Sequence, residues 1–302
     1  MKKMKKWLAL GLAAAMSMMV LTACGSEEAT EEEKPVVEEA AEKTAEPEET
    51  AVYPEDVQAI VDRGVLKVGV KNAVQGFGFQ DPLTNEYSGM EISLAKMIAD
   101  ALGVDVEYTA VTAATRTELL DSGDIDCVLA TFTITDERKE SWDFSTPYFT
   151  DHVTVLVEDA SGIASLADLT DKTVGVSSGS TSAKSLVEAL IEGGYITGEG
   201  YDTETFDPAT WTKGVKFQQY DDYPTISTAL SAGEVDAFCV DKSILAIYHT
   251  DGRSYIEEEF APQEYGVATT KDSGLSALVE ELVQGWLEDG TIDGLIAENG
   301  LN

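Results

Sequence analysis

Strand-like runs alternate with amphipathic segments along most of the chain. The runs with β-strand character lie at 66–70, 106–111, 126–130, 173–176, 215–220 and 236–240. Apolar residues at helical spacing predict helices at 91–102, 115–121, 181–192, 222–232, 275–287 and 292–297. This alternation predicts an α/β protein with parallel sheets covered by helices. Because the pattern occurs in two sets of similar size, we expect two lobes.

The first residues show a different pattern, which is typical of a targeting signal. Four lysines precede an uncharged apolar run over 7–22. The run is short for a membrane-spanning helix, which needs about 20 apolar residues. It ends in Leu21-Thr22-Ala23-Cys24, which resembles a bacterial lipobox, whose Cys is diacylated and becomes the mature N-terminus. We therefore expect a lipoprotein signal peptide over 1–23 and lipidation of Cys24, with a plain signal peptide or an uncleaved anchor as the alternatives.

Residues 24–52 are dominated by Glu, Ala, Thr and Pro and contain almost no large apolar side chains. Such a segment cannot bury enough apolar surface to offset the entropy of ordering, and its like charges extend it. We expect an acidic disordered tether, with a short charged helix as the alternative. The whole chain has a formal net charge of −36, which argues against nucleic acid as a partner because phosphates must be neutralised by Lys and Arg.

Residue types that serve metal binding or nucleophilic catalysis are sparse. The two histidines, His152 and His249, have no Cys, His or carboxylate neighbours at metal-ligand spacing. The sequence also has no Gly-rich phosphate loop of the usual forms and no nucleophile elbow. Cys127 and Cys239 lie in apolar runs typical of buried strands, and a disulfide between them is the weaker alternative. We expect no cofactor and no metal, and the balance moves from catalysis toward binding.

A polar stretch at 130–138 follows a predicted strand and is the first candidate for ligand binding. Thr131 and Thr133 alternate, so their hydroxyls point to one side. Thr135 is a candidate helix N-cap, and Arg138 lies one helical turn beyond it, where its guanidinium can bind a carboxylate. The simpler alternative is a surface Arg beside two ordinary strand threonines.

Two more stretches follow strands, at 176–183 and 240–243. The first has small hydroxyl residues around a predicted helix start, where free N–H groups favour an anion. The second contains Asp241, whose carboxylate can accept hydrogen bonds from an ammonium group. A capped loop and an Asp that caps its own helix are the simpler alternatives. Ligands of parallel sheets bind beyond the carboxyl ends of strands, and all three stretches occupy that position.

Further motifs occur in a characteristic order, at 64–70, 87–92, 122–126, 133–138, 143–149, 235–237 and 262–267. Together they resemble the family 3 extracellular solute-binding proteins, the polar-amino-acid receptors of ABC importers, over 64–301. The resemblance implies a type II periplasmic-binding-protein fold, in which a hinge of two crossover strands lets two α/β lobes close around a ligand. It divides the chain into lobe 1, at 53–151 and 250–302, and lobe 2, at 152–249.

The resemblance also implies roles for individual residues. By position, Arg138 matches the residue that holds the α-carboxylate of an amino acid, and Asp241 matches the residue that receives its α-ammonium group. The other matched positions are Thr131 for the α-amino group, Thr133, Ser180 and Thr181 for the carboxylate, and Tyr265 in the last motif.

Side-chain specificity depends on Lys71 and Arg116, which match positions that face the ligand's side chain in the family. Two cations would suit a second carboxylate, and the local pattern resembles the aspartate/glutamate-binding branch. The alternative is a Lys71 that points to solvent and an Arg116 held in ion pairs. We expect Phe77 to contact the ligand and Phe79 to be core. The segment 193–214 is long for the family and either makes a surface excursion or rims the cleft.

The favoured function is capture of an amino acid, either acidic (Glu or Asp) or Gln, by hinge closure on the extracellular face of the bacterial cytoplasmic membrane. The implied partners are an ABC permease and its ATPase, and the protein is expected to act as a lipid-anchored monomer. A ligand-sensing subunit is one alternative. A dehydratase-like enzyme on the same fold is the other, and it would need a general acid or base at the ligand.

Overall fold

The computed structural model of the protein describes residues 52–301. The predicted signal peptide, the lipidation site Cys24 and the acidic tether up to residue 51 lie outside the described residues. Within 52–301, the strands form two main sheets and a small three-stranded one. None of the helices in this range is both long and apolar enough to cross a membrane.

The helices are α1 (Glu55–Arg63), α2 (Met90–Leu102), α3 (Thr115–Ser122), α4 (Asp136–Ser141), α5 (Ser182–Glu192), α6 (Tyr223–Ala232), α7 (Lys242–Leu245), α8 (Gly274–Glu288) and α9 (Thr291–Glu298). The strands are β1 (Val65–Val70), β2 (Ala73–Val74), β3 (Gly78–Gln80), β4 (Tyr87–Ser88), β5 (Asp105–Ala110), β6 (Cys127–Leu129), β7 (Trp142–Phe144), β8 (Phe149–Glu158), β9 (Lys172–Ser177), β10 (Val215–Tyr220), β11 (Ala237–Asp241), β12 (Arg253–Tyr255), β13 (Phe260–Tyr265) and β14 (Ala268–Thr270). All six strands and six helices predicted from the pattern are present, and no end is shifted by more than one residue.

Lobe 1 is built on the sheet β5-β1-β6-β14-β7. Its strand β1 is parallel to β5 and β6, and β14 is antiparallel to both β6 and β7. The apolar face of α2 packs on β1 and β5, with Leu94, Ala95 and Ile98 fully buried. The helix ends at Gly103, whose φ of +68° is a left-handed conformation that glycine adopts without steric cost.

Lobe 2 is built on the sheet β10-β9-β11-β8-β12, with β13 also paired to β8. Strands β9, β10 and β11 are parallel, whereas β8 is antiparallel to β11. Helix α6 covers this sheet and is N-capped by Asp222, whose carboxylate accepts a hydrogen bond of 2.8 Å from the N–H of Thr225. The parallel pairing predicted from the alternation is thus present between β1, β5 and β6 in lobe 1 and between β9, β10 and β11 in lobe 2, and each sheet also contains antiparallel strands.

Two antiparallel strands, β8 and β13, connect the lobes. They pair from Phe149 opposite Tyr265 to Val153 opposite Phe260. At its end β13 forms a bridge to Thr133 of lobe 1, and the chain then enters β14 in the lobe 1 sheet. The two-lobed fold with a hinge of two crossover strands is thus confirmed. The predicted lobe boundaries stay a prediction, and β12, which falls in the predicted lobe 1, pairs with β8 in the lobe 2 sheet.

Candidate functional site

The residues selected from the sequence follow the carboxyl ends of strands in both sheets. Lys71 comes directly after β1, Thr131 lies two residues after β6, and Asp241 is the last residue of β11. The loop that follows β9 carries Ser180 and Thr181 to the start of α5. The two sheets therefore direct all three polar stretches toward the space between the lobes.

Arg138 connects the two lobes at one side of this space. The N-cap predicted at Thr135 is confirmed, because its hydroxyl accepts a hydrogen bond of 3.1 Å from the N–H of Arg138. The Nη1 of Arg138 donates to the carbonyl of Thr133, at 2.7 Å, and its Nη2 donates to the carbonyl of Gly179 in lobe 2, at 3.1 Å. Desolvation and the charge of Arg116 lower the pKa of Arg138 to about 9.

Arg116 is buried, with 2% of its surface exposed, and it is held by lobe 1 alone. Its Nη1 donates to the carbonyls of Ala130 and Thr131, at 2.9 and 3.1 Å. Its guanidinium lies 3.8 Å above the ring of Phe132, which also lies under Arg138 at 4.7 Å. Arg116 is thus held by backbone carbonyl groups, and not by the ion pairs that the alternative interpretation expected. Among the described residues its Nε is buried without a hydrogen-bond partner, and burial lowers its pKa to about 10.

Lys71 is also buried, with 4% exposure, so the alternative in which it points to solvent is wrong. Its Nζ lies 5.4 Å from the centroid of the Tyr223 ring of lobe 2. Within residues 52–301 this ammonium group makes neither a hydrogen bond nor an ion pair. Burial first, and then the charge of Arg116, keeps the pKa of Lys71 well below its usual range. An unpaired buried ammonium group is costly, and an anion beside it would remove that cost.

Asp241 lies on the lobe 2 side and is 5% exposed. It does not cap α7, which was the simpler alternative; its Oδ2 instead accepts a short hydrogen bond from the hydroxyl of Tyr265. That hydroxyl is also 3.4 Å from Asp151, whose carboxylate accepts hydrogen bonds from Ser243. Burial, with a smaller contribution from the charge of Asp151, raises the pKa of Asp241 to about 7. The hinge residue Tyr265 therefore orients the carboxylate that the sequence assigned to an ammonium group.

Thr131 has a positive φ of +46°, which is uncommon for a residue with a β-branched side chain. Its N–H donates to Glu91 Oε1 at 2.6 Å, and the hydroxyl of Tyr148 donates to the same oxygen at 2.6 Å. Burial raises the pKa of Glu91, and its Oε2 is buried without a hydrogen-bond partner among the described residues. Glu91 thus fixes the loop that carries Thr131 into the site.

Some predicted contacts occupy less direct positions. Phe77 is fully buried against Phe149 and Tyr265, with ring centroids 5.0 and 5.6 Å away, whereas Phe79 is half-buried. Phe79 was expected to be the core residue, but Phe77 is the more deeply buried of the two because it packs against the hinge residues Phe149 and Tyr265. Ser180 donates its hydroxyl to the carbonyl of Ser177 at 2.7 Å and so stabilises its own loop. Contact of Phe77 and Ser180 with a ligand stays a prediction.

A cleft of about 540 Å³ lies at the outer side of Arg138. Both lobes and the hinge strand β13 line it. The segment 193–214 adds to its wall through Thr203, Glu204, Phe206 and Pro208. Phe206 is held by Trp211 and Tyr201, with ring centroids 5.6 and 5.7 Å from its own. The segment 193–214 therefore lines this outer cleft, and its contact with a ligand stays a prediction.

The described residues include no group of His, Cys, Asp and Glu side chains that could hold a metal ion. Cys127 and Cys239 are free and buried, as expected for strand residues. Four side chains at the site were not selected from the sequence: Glu91, Phe132, Tyr223 and Gln263. Glu91, Phe132 and Gln263 lie within or beside motifs given above, and Tyr223 begins α6, but only the folded chain shows that they face the site.

The chain was compared with known proteins. A family model described as bacterial extracellular solute-binding proteins, family 3, matches residues 66–299. A glutamine-binding protein of Geobacillus stearothermophilus is 32% identical over 275 residues, which cover 89% of this chain and 94% of the relative. The glutamate-binding protein GluB of Corynebacterium efficiens is 28% identical over 259 residues, which cover 80% of each chain.

Solved structures agree with this relationship. An ancestral arginine-binding protein bound to arginine superposes with a TM-score of 0.65 at 32% identity, covering 78% of this chain and 98% of that one. The family model extends over most of the chain, and the matched region contains both lobes and the hinge. The chain therefore belongs to the bacterial extracellular solute-binding proteins of family 3.

Proposed function

We propose that this protein captures an acidic amino acid (Glu or Asp) or Gln outside the cell and delivers it to an ABC importer. The observation that carries this proposal is the buried ammonium group of Lys71, which has no hydrogen bond among residues 52–301 and lies in the same site as Arg116 and Arg138. A buried cation without a partner favours a ligand that brings a negative or strongly polar group to it.

A zwitterion needs one anion site and one cation site, and the proposed contacts supply both. Arg138, Thr133, Ser180 and Thr181 would bind the α-carboxylate, and Asp241 and Thr131 would bind the α-ammonium group. Hydrogen bonds to charged groups contribute about 1.5–3 kcal/mol each. Because both lobes contribute donors and acceptors, ligand binding would favour the closed arrangement of the lobes.

Lys71 and Arg116 would bind the far end of the ligand. Their positive charge matters because the chain as a whole carries a formal net charge of −36 and would otherwise repel an anion. Within residues 52–301 the buried Nε of Arg116 has no hydrogen-bond partner, which leaves it as a donor for a carboxylate or a carboxamide oxygen. Relatives named for glutamine and for glutamate binding support both ligand types.

We further propose that the protein is attached to the membrane through Cys24. Two acyl chains hold a protein stably at a bilayer, whereas one does so only marginally. The acidic tether would hold the lobes away from the membrane, and the monomer would pass its ligand to a permease driven by an ATPase. Mass spectrometry of the membrane-extracted protein tests this, since lipidation predicts a diacylated N-terminal peptide that begins at Cys24.

The ligand is tested by a thermal-shift screen against the twenty amino acids, on purified protein that has been unfolded and refolded to remove carried ligand. A ligand at a hundredfold its Kd stabilises by about 2.7 kcal/mol. At roughly 2–4 °C per kcal/mol, the expected rise in Tm is roughly 5–10 °C. A shift with Glu, Asp or Gln alone supports the proposal. A shift with cationic amino acids would contradict the contact of Lys71 and Arg116 with the ligand's side chain. No shift with any amino acid would contradict amino acid capture.

A further inference from the structure

Gln263 joins both lobes through a single oxygen atom. It lies on the hinge strand β13, and 3% of its surface is exposed. Its Oε1 accepts a hydrogen bond from the hydroxyl of Thr133 in lobe 1, at 2.8 Å, and another from the hydroxyl of Thr181 in lobe 2, at 2.7 Å. Its Nε2 donates to the carbonyl of Ala261, at 2.9 Å, which fixes the amide with its oxygen toward both hydroxyls.

These hydrogen bonds occupy the donors that were assigned to the ligand. A threonine hydroxyl has one proton to donate, so Thr133 and Thr181 cannot donate to Gln263 and to a carboxylate at the same time. Their backbone N–H groups remain, because neither makes a hydrogen bond among the described residues. A carboxylate beside Arg138 can therefore be bound by these N–H groups while Gln263 keeps the hydroxyls.

We infer that Gln263 is a positioning residue that holds the lobes closed without a ligand. Both bonds exist together only when Thr133 and Thr181 approach each other, so the pair stabilises the closed state, and at least one of the two bonds is lost in the open one. The apparent Kd of a ligand is its intrinsic Kd divided by the fraction of protein in the competent state. Closure by Gln263 therefore tightens ligand binding without direct contact with the ligand.

The first test measures the distance between the lobes in the unliganded protein. Spin labels are placed at Glu118 of lobe 1 and Thr205 of lobe 2, two exposed residues that are each next to a residue lining the cleft. We expect Gln263→Met to shift the distance distribution toward longer values, and Thr181→Val, which removes the lobe 2 hydrogen bond, to do the same if Gln263→Met folds poorly. Gln218→Met, on the exposed face of β10, is the matched control and should leave the distances unchanged. Unchanged distances in both Gln263→Met and Thr181→Val would overturn the inference.

The second test uses L-glutamine and L-glutamate as probes and is the arm that rests on the proposed function. We expect Gln263→Met to weaken binding by about 3- to 10-fold, from the loss of one or two net hydrogen bonds. Tighter binding by this variant would overturn the inference, because it would mean that Gln263 competes with the ligand for the two hydroxyls. If neither probe binds the unmodified protein, the proposed function fails, while the spin-label distances still decide whether Gln263 closes the lobes.

Discussion

Gly179 of lobe 2 lies in backbone contact with Ala113 of lobe 1. A Cβ on Gly179 would lie 2.8 Å from the carbonyl oxygen of Ala113 and 2.9 Å from the Cα of Ala114. The φ of Gly179 is +75°, a left-handed conformation that favours glycine. Its carbonyl also accepts the hydrogen bond from Arg138. The two lobes therefore close at a point where a side chain cannot be accommodated.

We expect Gly179→Ala to weaken amino acid binding at least tenfold, because the added methyl group must push the lobes apart before Arg138 can reach its carbonyl partner. The measurement is isothermal titration with the amino acid that gives the largest thermal shift. The variant should still fold, since the clash is between lobes rather than within one.

Gly162→Ala is the matched control for the backbone strain. Gly162 lies between β8 and β9 and has a φ of +71°, and among the described residues no atom comes within 4 Å of an added Cβ. Its replacement should cost about 1–2 kcal/mol of stability through the left-handed conformation and leave the Kd unchanged. An equal loss of affinity in both variants would show that strain, and not the contact with Ala113, limits closure.

The affinity should depend on pH through Asp241, whose pKa burial raises to about 7. Only the ionised carboxylate can pair with an α-ammonium group. We therefore expect the affinity to fall as the pH decreases from 8 to 5.5, by up to about tenfold per pH unit below the pKa. Titration calorimetry across this range measures the dependence, and Asp241→Asn should bind weakly with little pH dependence.

The stability of the unliganded protein should change in the opposite direction. The folded pKa of Asp241 lies above the value of about 3.9 expected in the unfolded chain, so the folded state holds the extra proton between these values. Its contribution to stability is complete below about pH 4 and is lost as the pH rises through 7. The Tm of the unmodified protein minus that of Asp241→Asn should thus decrease from pH 5 to pH 8; a difference that stays constant over this range would mean that Asp241 is already ionised when unliganded.

Local patterns were sufficient to predict most elements and the three polar stretches, because parallel strands expose their carboxyl ends at one edge of a sheet. The helix N-cap at Thr135 could also be predicted, because an N-cap depends only on residues three apart in the sequence. The contacts that join the lobes could not. Gln263 accepts its hydrogen bond from Thr133, which is 130 residues away in the sequence. No local pattern shows that β13 pairs with β8 and so brings these two residues together.

Burial was equally hard to predict. Lys71 has no sequence feature that separates a buried ammonium group from an exposed one, because its burial depends on Tyr223, which comes from the other lobe. Phe77 and Phe79 lie two residues apart, and strand alternation would put both rings on the same face. The contacts of Phe77 with Phe149 and Tyr265, which are distant in the sequence, bury its ring. Interlobe geometry, rather than local propensity, determines each of these cases.

Arg138→Ala should weaken amino acid binding at least tenfold, because it removes a charge-assisted contact to the α-carboxylate and the link between Thr133 and Gly179. Arg138→Lys keeps the charge but cannot donate to both carbonyls in the same planar geometry, so we expect an intermediate Kd. Titration calorimetry measures both. Unchanged binding by the alanine variant would show that the carboxylate binds elsewhere.

Lys71→Met should separate ligand charge from ligand size. Removal of this buried ammonium group, which has no hydrogen bond or ion pair among the described residues, should raise the Tm of the unliganded protein, because an uncompensated buried charge is costly. The same change should weaken L-glutamate binding at least tenfold and L-glutamine binding much less, if the ammonium group faces the ligand's second carboxylate. Lys67→Met, four residues earlier and half-buried on β1, is the control and should leave the affinities for L-glutamate and for L-glutamine unchanged. Equal losses of affinity for the two ligands would mean that Lys71 does not distinguish a charged ligand side chain from a neutral one.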